Sequence, residues 1–368
     1  MSRARNPGGF LYVHDCGGRL DLIEQGVAAY FSPGEVIDAL YVSHFDEDHV
    51  AGLEHLLAHH RVQRAFIPVL HDNARLYFLA TNLAKGALSA TLEAFIRDTR
   101  AWLVRAGVAE VREIPDDPDP ARLDPEIVDL DRDGGVDHTP PARPAAATLN
   151  LSVGGGKRPS MAIWQLKTFC AIDQDKHFRT KLATHFRKRF RSDAKAIEWL
   201  LSGAVGTKQI KDFFVKEYAG DHNRVSLCLY SGPTTKLNDR WTVDTTLISW
   251  TWLTGKSSRM RVGWMHTADY PFRVKKLARK FTTYFKPQLD DVSVFMLSHH
   301  GSASDFDETL LDQMKHVEIG LVPVGSKKQY GHPDDNALAT LLRRRIAPAL
   351  VMDERSDRFI MHTRLSHP

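Results

Sequence analysis

The feature that most constrains this chain is a run of ligand-type side chains at 44–49, which reads His-Phe-Asp-Glu-Asp-His. The residues before it, 36–42, are mostly apolar and β-branched, which predicts a buried strand. The residues after it place apolar side chains at helical spacing from Val50 to Leu57. The pattern therefore predicts a strand-to-helix loop rich in imidazole and carboxylate groups, which are ligands for Zn, Mn and Fe. The alternative is a solvated acidic loop with two incidental histidines.

Composition sets the class of protein. With 368 residues and 43% hydrophobic side chains, the chain can hold one large domain with insertions or two modest ones. Its net charge of +4 is nearly balanced, so nucleic-acid binding has to be argued from clustered charge. No apolar run approaches the roughly 18 residues of a membrane span, and the apolar stretch after the basic N-terminus is too short for a signal peptide. Cys16, Cys170 and Cys228 are odd in number and widely spaced, which is typical of reduced thiols in a cytoplasmic protein.

Other probable strands also end in ligand-type residues. These residues are Asp15, Asp269, His299, His300 and His332. Loops at strand ends are where folds usually place binding groups, so their occurrence together with the 44–49 run favours a metal site. Asp15 has two interpretations. An Asp followed by glycines often forms a turn, but a carboxylate can also hold a metal-binding histidine in place.

The middle of the chain, 72–220, is predicted to be largely helical. Helical periodicity dominates 72–105, and two further helices are predicted at 193–201 and 207–218. Within it, 115–159 is acidic and rich in proline. That composition predicts a mobile insertion and not a domain.

Two predicted helices, one at 175–191 and one at 273–280, carry clustered basic residues. Such a face is usually only solvated. The positive run at 175–191 is not interleaved with compensating acids, however, which favours contact with phosphates. The residues predicted to contact nucleic acid are Lys176, Arg179, Arg187, Lys188, Arg189, Lys276 and Lys280.

Four motifs follow one another along the chain. They are Ser-His-x-Asp-x-Asp-His-x-x-Gly at 43–52, Thr-Ala-Asp at 267–269, His-His-Gly-Ser at 299–302 and Tyr-Gly-His-Pro at 330–333. In this order they resemble the motifs of metallo-β-lactamase-fold hydrolases, and more closely those of the soluble hydrolase domain of ComEC-type DNA-uptake proteins. The resemblance covers nearly the whole chain except about 55–220, and it implies that 72–220 is a helical expansion within the family's fold.

The resemblance implies an α/β fold, an αββα sandwich of the metallo-β-lactamase type that forms a single domain over 1–368, with two divalent ions, Zn or Mn, at one edge. The implied ligands are His44 and Asp46 for one ion, Asp48 and His49 for the other, a bridging Asp269, and His299, which we favour over His300, at the second site. It also implies that Asp48 orients a metal-activated water. His300 or His332 would then protonate the leaving oxygen.

Three departures from the family pattern bear on this site. No counterpart of the family's first strand precedes Phe10, which leaves the sheet edge incomplete or covered in another way. Ala268 stands where the family has glycine, a change that is tolerated if the backbone φ is negative there. His222, four residues before Ser226, is either an additional metal ligand or a surface histidine.

The resemblance and the basic helices favour a nuclease or phosphodiesterase that acts on nucleic acid. The alternative is a hydrolase of a small ester, lactone, lactam or nucleotide, because one fold hosts many substrates. A non-catalytic partner subunit is disfavoured by the complete ligand set. The ComEC-type relatives attach this domain to a membrane channel that this chain lacks, so DNA uptake is not implied. We expect an enzyme that acts inside the cell, for example as the effector of a multi-protein defence system.

Overall fold

The computed structural model divides into two compact units. The first unit comprises Met1–Arg3, Tyr12–Glu113 and Ile172–Val225, and the second comprises Ala4–Leu11, Ile114–Ala171 and Ser226–Pro368. The residues that the structure describes are 1–5, 9–116, 126–129, 148–153, 161–172, 177–217, 225–234, 241–248, 254–257, 261–303, 305–324, 331–352 and 358–365.

The first unit is built on a sheet whose strands follow one another in chain order. Its five strands, as far as the structure describes the chain, are β1 (Ser2–Arg5), β2 (Leu11–His14), β3 (Ile37–Tyr41), β4 (Val62–Pro68) and β5 (Glu110–Ile114). Strands β2, β3 and β4 are parallel, with Val13 opposite Leu40 and Leu40 opposite Ala65. Because the carboxyl ends of parallel strands meet at one edge of a sheet, the loops after β2 and β3 are neighbours. Those loops carry Asp15 and the 44–49 run.

Helices supply the rest of the first unit. Those within the described residues are α1 (Leu20–Tyr30), α2 (Glu47–Val50), α3 (Leu53–His59), α4 (Asp72–Lys85), α5 (Ala90–Arg97), α6 (Thr99–Arg105), α7 (Phe178–His185), α8 (Asp193–Leu201) and α9 (Thr207–Glu217). An aromatic core joins three of them, since the Tyr77 ring of α4 lies 5.2 Å from Phe178 of α7 and 5.9 Å from Phe214 of α9. Helices α8 and α9 confirm the two helices that periodicity predicts at 193–201 and 207–218.

The basic helix predicted at 175–191 is shorter in the structure. Helix α7 ends at His185, because Arg187 has a φ of 51° and the Lys188 N–H turns back to the Ala183 carbonyl at 2.8 Å. This six-to-one bond is the usual helix end with a left-handed residue, made here without glycine. The prediction that Arg187, Lys188 and Arg189 are helical is therefore wrong, and these residues form an exposed loop. Lys176 lies outside the described residues.

The second unit contains a larger, mixed sheet and a smaller antiparallel one. The strands of this unit, in the part of the chain described, are β6 (Glu126–Asp129), β7 (Thr148–Val153), β8 (Met161–Ile172), β9 (Val225–Pro233), β10 (Trp241–Ile248), β11 (Thr254–Ser257), β12 (Gly263–His266), β13 (Val292–Met296), β14 (Ile319–Val324), β15 (Ala347–Met352) and β16 (Arg358–Leu365). The larger sheet has the order β15-β14-β13-β12-β9-β8-β7-β6, and the smaller has the order β11-β10-β16. The helices are α10 (Lys275–Tyr284) and α11 (Asp335–Arg343).

The four strands at one side of the larger sheet are parallel to each other. Strand β12 pairs in parallel with β13, β13 with β14 and β14 with β15, whereas β9 pairs with β12 in the antiparallel sense. The loops that follow β12 and β13 therefore leave from the same edge. These loops carry Asp269, His299 and His300.

Two parts of the fold differ from what the sequence predicts. A strand, β1, precedes Phe10 and occupies the edge of the first sheet, where no strand was expected. Within the acidic segment 115–159, the structure places the parallel strands β6 and β7, and Leu149 and Leu151 of β7 are buried. Most of the remaining residues of that segment lie outside the described residues, and their mobility stays a prediction.

The predicted α/β class is confirmed, as a mixed fold with one sheet that is parallel over β2–β4 and one mixed sheet. None of the described helices combines the length and the hydropathy that crossing a bilayer requires.

The second unit's larger sheet carries a buried lysine, Lys167. The Nζ atom of Lys167, on β8, donates to the Tyr284 carbonyl at 3.0 Å and to Gln288 Oε1 at 3.3 Å. It also lies 4.3 Å from the centre of the Tyr284 ring, an arrangement that favours the charged form. Burial nevertheless lowers the pKa of Lys167 to about 8, because desolvation penalises the ammonium.

We predict that Lys167→Met removes a pH dependence of stability. The pKa of Lys167 is about 8 in the folded protein and 10.5 as its ordinary value, so between these values the unfolded chain binds the extra proton and stability rises with pH. The rise contributed by this residue is at most about 3 kcal/mol, at about 1.4 kcal/mol per pH unit. Urea unfolding at pH 7 to 10 measures the free energy of unfolding of wild type and variant. In the difference between the two, the titration of other groups cancels. A difference that does not change with pH would contradict the assignment.

Candidate metal centres

The 44–49 loop gathers the first cluster of ligand-type groups. It begins where β3 ends and runs into α2. One ligand atom from each of His44, Asp46 and Asp48 lies within 4.8 Å of the other two, and the His44 ring lies 3.7 Å from the His49 ring. His44, Asp46 and His49 are buried, whereas Asp48 is exposed. This set of imidazole nitrogens and carboxylate oxygens suits a divalent ion such as Zn or Mn.

A buried carboxylate, Asp15, fixes this loop. Its Oδ1 accepts the Ser43 backbone N–H at 2.7 Å, and its Oδ2 accepts the Ser43 hydroxyl at 2.7 Å and faces His49 Nδ1 at 2.9 Å. Burial raises the pKa of Asp15, but its electrostatic interactions with His14 and His49 and the hydrogen bond with His49 outweigh it and hold the pKa well below its usual value. The ionised carboxylate therefore accepts all three hydrogen bonds. Of the two interpretations, the contact with His49 favours a carboxylate that holds a histidine in place.

The hydrogen bonds determine which ring nitrogen of each histidine carries the proton. Because the Ser43 hydroxyl donates to Asp15, its oxygen accepts from His44 Nδ1 at 2.9 Å. His49 Nδ1 likewise donates to the Asp15 carboxylate. Both rings are thus protonated at Nδ1, which leaves Nε2 with the lone pair that a metal ion needs.

Asp46 has a partner that the sequence analysis missed. Its Oδ2 accepts from Lys85 Nζ at 2.6 Å, whereas its buried Oδ1 accepts no hydrogen bond from the described residues. Lys85 is the last residue of α4, 39 positions along the chain from Asp46. Neighbouring Asn82 of the same helix donates to the Phe45 carbonyl at 3.3 Å. The only sequence signal near Lys85 is Gly86, which ends the helix in the left-handed conformation.

Two glycines let the loops after β2 and β3 approach each other. A Cβ on Gly17 would lie 2.1 Å from the Asp48 carbonyl oxygen, and a Cβ on Gly52 would lie 2.4 Å from a methyl group of Ile23. Cys16, next to Gly17, forms backbone hydrogen bonds with both His49 and Gly52. Close packing around the cluster therefore requires glycine at positions 17 and 52.

We predict that Gly17→Ala destabilises the protein by about 1–3 kcal/mol, the usual range for overpacking, because the added Cβ would meet the backbone of Asp48. The matched control is Gly26→Ala, in helix α1, where the nearest atoms lie 3.8 Å from the new Cβ. There alanine should stabilise the helix by roughly 0.5–1 kcal/mol. Urea unfolding of both variants measures the difference, and equal effects would show that the Gly17 contact is not required.

A second cluster lies in the second unit. The Asp269 loop follows β12, and the His299-His300 loop follows β13. Nε2 of His299 lies 3.9 Å from Asp269 Oδ2, and the ring of His332 lies 5.1 Å from the His299 ring. The structure therefore brings together three residues that the sequence singles out, and it adds Asp305, which the sequence analysis did not identify.

Asp305 does for His299 what Asp15 does for His49. Its Oδ2 lies 2.5 Å from His299 Nδ1, so His299 is protonated at Nδ1 and its Nε2 is the nitrogen on the Asp269 side. His300 Nδ1 faces the Pro323 carbonyl at 3.1 Å, which can only accept a hydrogen bond. A carboxylate partner at Nδ1 is the arrangement usual for metal-binding histidines, which favours His299 over His300 as the ligand.

Strained backbone holds the second cluster in place. Ala268, His299 and His300 have φ values of 46°, 48° and 55°, and the His299 N–H donates to the Ala268 carbonyl at 2.8 Å. The Asp269 N–H donates to Ser226 Oγ at 3.1 Å. The condition that Ala268 has a negative φ is thus not met, and alanine costs roughly 1–2 kcal/mol at such a position.

His332 differs from the other histidines in its electrostatics. Burial lowers its pKa, His299 and His300 lower it further, and Asp305 and Asp269 partly offset these effects. The net direction is below the ordinary histidine value, so the ring is mostly neutral near neutral pH. A neutral ring is suited to hydrogen bonding or proton acceptance.

The described residues among those predicted to contact nucleic acid lie in both units. In the first unit, Arg179 pairs with Asp193 at 3.3 Å. Arg187, Lys188 and Arg189 are exposed on the loop after α7. In the second unit, α10 carries the exposed Lys276 and the half-buried Lys280, and His222 lies outside the part of the chain described.

Comparison with known proteins adds no relative. No family model matches the chain, and no curated protein matches it in sequence. The motifs and the geometry of the two clusters therefore carry the functional assignment.

Proposed function

We propose that this chain is a metal-dependent hydrolase, a nuclease or phosphodiesterase with an αββα sandwich of the metallo-β-lactamase type. The observation that carries the proposal is the shared geometry of His44, His49 and His299. Each ring is held at Nδ1 by a hydroxyl or carboxylate, which presents Nε2 as a ligand. Held imidazoles beside carboxylates in both clusters are the arrangement of metal centres and not of a solvated acidic loop.

The donor atoms fit divalent ions. Asp46 Oδ2 is paired with Lys85, but its Oδ1 is buried without a hydrogen bond from the described residues, which leaves that oxygen available to a divalent ion. Three aspartates among the donors make the set richer in oxygen than a site of three histidines, which suits Mn as well as Zn. The residues that we propose as metal ligands are His44, Asp46, Asp48, His49, Asp269 and His299.

Bound divalent ions would lower the pKa of a water toward ~7 and neutralise charge on a phosphoryl oxygen. The chain's own residues would then handle position and protons. Asp48, whose side chain is 55% exposed, can accept a hydrogen bond from the attacking water. His300 or His332 would protonate the leaving oxygen, with a contribution of roughly 10²–10⁴-fold.

A polynucleotide substrate is supported by the loop after α7. Arg187, Lys188 and Arg189 are consecutive and exposed, with no salt bridge to an acid recorded among the described residues. A polynucleotide that runs past a metal centre needs cationic partners for its flanking phosphates. A small ester or lactone would not need this loop.

We predict that the purified protein carries close to two divalent ions per chain and hydrolyses phosphodiesters. His44→Ala, in the first unit, and Asp269→Ala, in the second, should each lose bound metal and at least about 100-fold in kcat, the scale at which active-site electrostatics act. His59→Ala is the control, because this exposed histidine forms a hydrogen bond within its own helix, with the His55 carbonyl. Elemental analysis and turnover of bis-p-nitrophenyl phosphate measure both effects. Absence of metal, with no activity on adding Zn or Mn, would refute the proposal.

We predict that Arg187→Ala/Lys188→Ala/Arg189→Ala weakens DNA binding and lowers the slope of log affinity against log salt by up to about three units, one for each phosphate contact. The charge-matched control replaces Lys208, Lys211 and Lys216, the exposed lysines of α9. Turnover of bis-p-nitrophenyl phosphate should be unchanged in both. If affinity and salt slope stay at wild-type values, the loop is only solvated and the small-substrate hydrolase becomes the better proposal.

A further inference from the structure

The contact between Lys85 and Asp46 has no place in the catalytic scheme above. The Nζ–Oδ2 distance is 2.6 Å, and the lysine side chain is 40% exposed whereas that of the aspartate is 6% exposed. One partner is thus a buried group of the first cluster, and the other is in contact with solvent. If the pair separates, water can hydrate the ammonium, whereas the carboxylate stays buried without its partner. In a surface salt bridge, by contrast, water can hydrate both groups.

The last turn of α4 is held against the metal-binding loop. Asn82 donates to the Phe45 carbonyl at 3.3 Å and to Phe78, in its own helix, at 2.9 Å. Helix α4 then ends at Lys85, with Gly86 in the left-handed conformation and the Ala87 N–H bonded to the Asn82 carbonyl. These contacts fix where the ammonium group can reach, so its position on Asp46 is set by the fold.

The same carboxylate is required by two cations. Asp46 lies with His44 and Asp48 in a group whose donor atoms are within 4.8 Å of one another. An ion bound there would be close enough to the ammonium for direct repulsion. In the absence of an ion, the ammonium neutralises a buried carboxylate that would otherwise be unfavourable.

We propose that Lys85 sets the metal affinity of the first cluster. It neutralises Asp46 in the metal-free protein and opposes the charge of an incoming divalent ion, so the protein retains its metal only above a threshold of free ion. The inference rests on the proposed function, because it takes Asp46 as a ligand. It assigns to helix α4 a role in metal binding that the ligand motifs do not contain.

Lys85→Gln tests this directly, because glutamine, whose side chain is one atom shorter, keeps a similar helix propensity but removes the charge. The variant should bind Mn²⁺ at least ~10-fold more tightly in calorimetric titration, since one repelling charge is gone. The difference should shrink as salt is raised. Without metal, the variant should unfold at a lower temperature than wild type, and with saturating Mn²⁺ the two should unfold at similar temperatures.

Two further variants complete the test. Lys85→Arg keeps the charge and should bind Mn²⁺ as wild type does. Lys195→Gln removes a lysine from an equally short pair, 2.6 Å from Glu198, in which both side chains are more than half exposed, and it should change neither affinity nor stability. Lys85→Ala should give the same result as Lys85→Gln. It controls for any effect of the introduced amide group on metal binding or folding.

The outcomes separate the two proposals. If wild type binds Mn²⁺ but the Lys85→Gln and Lys85→Ala variants bind it with unchanged or weaker affinity, the role of Lys85 is refuted and the hydrolase proposal stands. If wild type and all variants bind neither Mn²⁺ nor Zn²⁺, both are refuted. Tighter binding in Lys85→Gln and Lys85→Ala, with wild-type affinity in Lys85→Arg and Lys195→Gln, supports the inference.

Discussion

The Asp15 carboxylate is the group on which the first cluster depends. It accepts the backbone N–H and the hydroxyl of Ser43, and it orients His49 through Nδ1. Through Ser43 it also determines the proton position on His44. Asp305 performs the same task for His299 in the second unit. Two separately folded clusters thus use one device, a buried carboxylate that fixes an imidazole, which is the usual means of preparing a histidine for a metal ion.

The cost of this arrangement is visible in the backbone. Of the six residues other than glycine with positive φ in the described chain, Asp15, Ala268, His299 and His300 belong to the two clusters. Each such residue costs on the order of 1 kcal/mol. Hydrogen bonds offset part of it, since the His299 N–H reaches the Ala268 carbonyl and the Asp15 N–H reaches the Tyr41 carbonyl. Strain of this kind concentrates where function requires a fixed geometry.

Local sequence signals were sufficient for the strands and for the loops at their ends. Strand β3, Ile37–Tyr41, lies within the predicted strand at 36–42, because a short apolar, β-branched run favours a buried strand. Contacts distant in sequence could not be predicted: Lys85 reaches Asp46 only because α4 packs against the loop. The end of α7 was missed because Arg187 adopts a left-handed conformation that its sequence does not signal. Strands β6 and β7 were missed because an acidic, proline-rich composition outweighed two short apolar runs.

The proton position on the histidine rings tests the central claim most directly. NMR of isotope-labelled histidine, with correlations from the ring protons to both ring nitrogens, reports it before and after Zn²⁺ is added. We predict that His44, His49 and His299 carry the proton on Nδ1 throughout and that only their Nε2 resonances shift with Zn²⁺. His60, whose Nδ1 faces the Glu35 carbonyl, should not respond. Protons on Nε2 of these three rings, or Nε2 resonances unchanged by Zn²⁺, would contradict a metal centre built on held imidazoles.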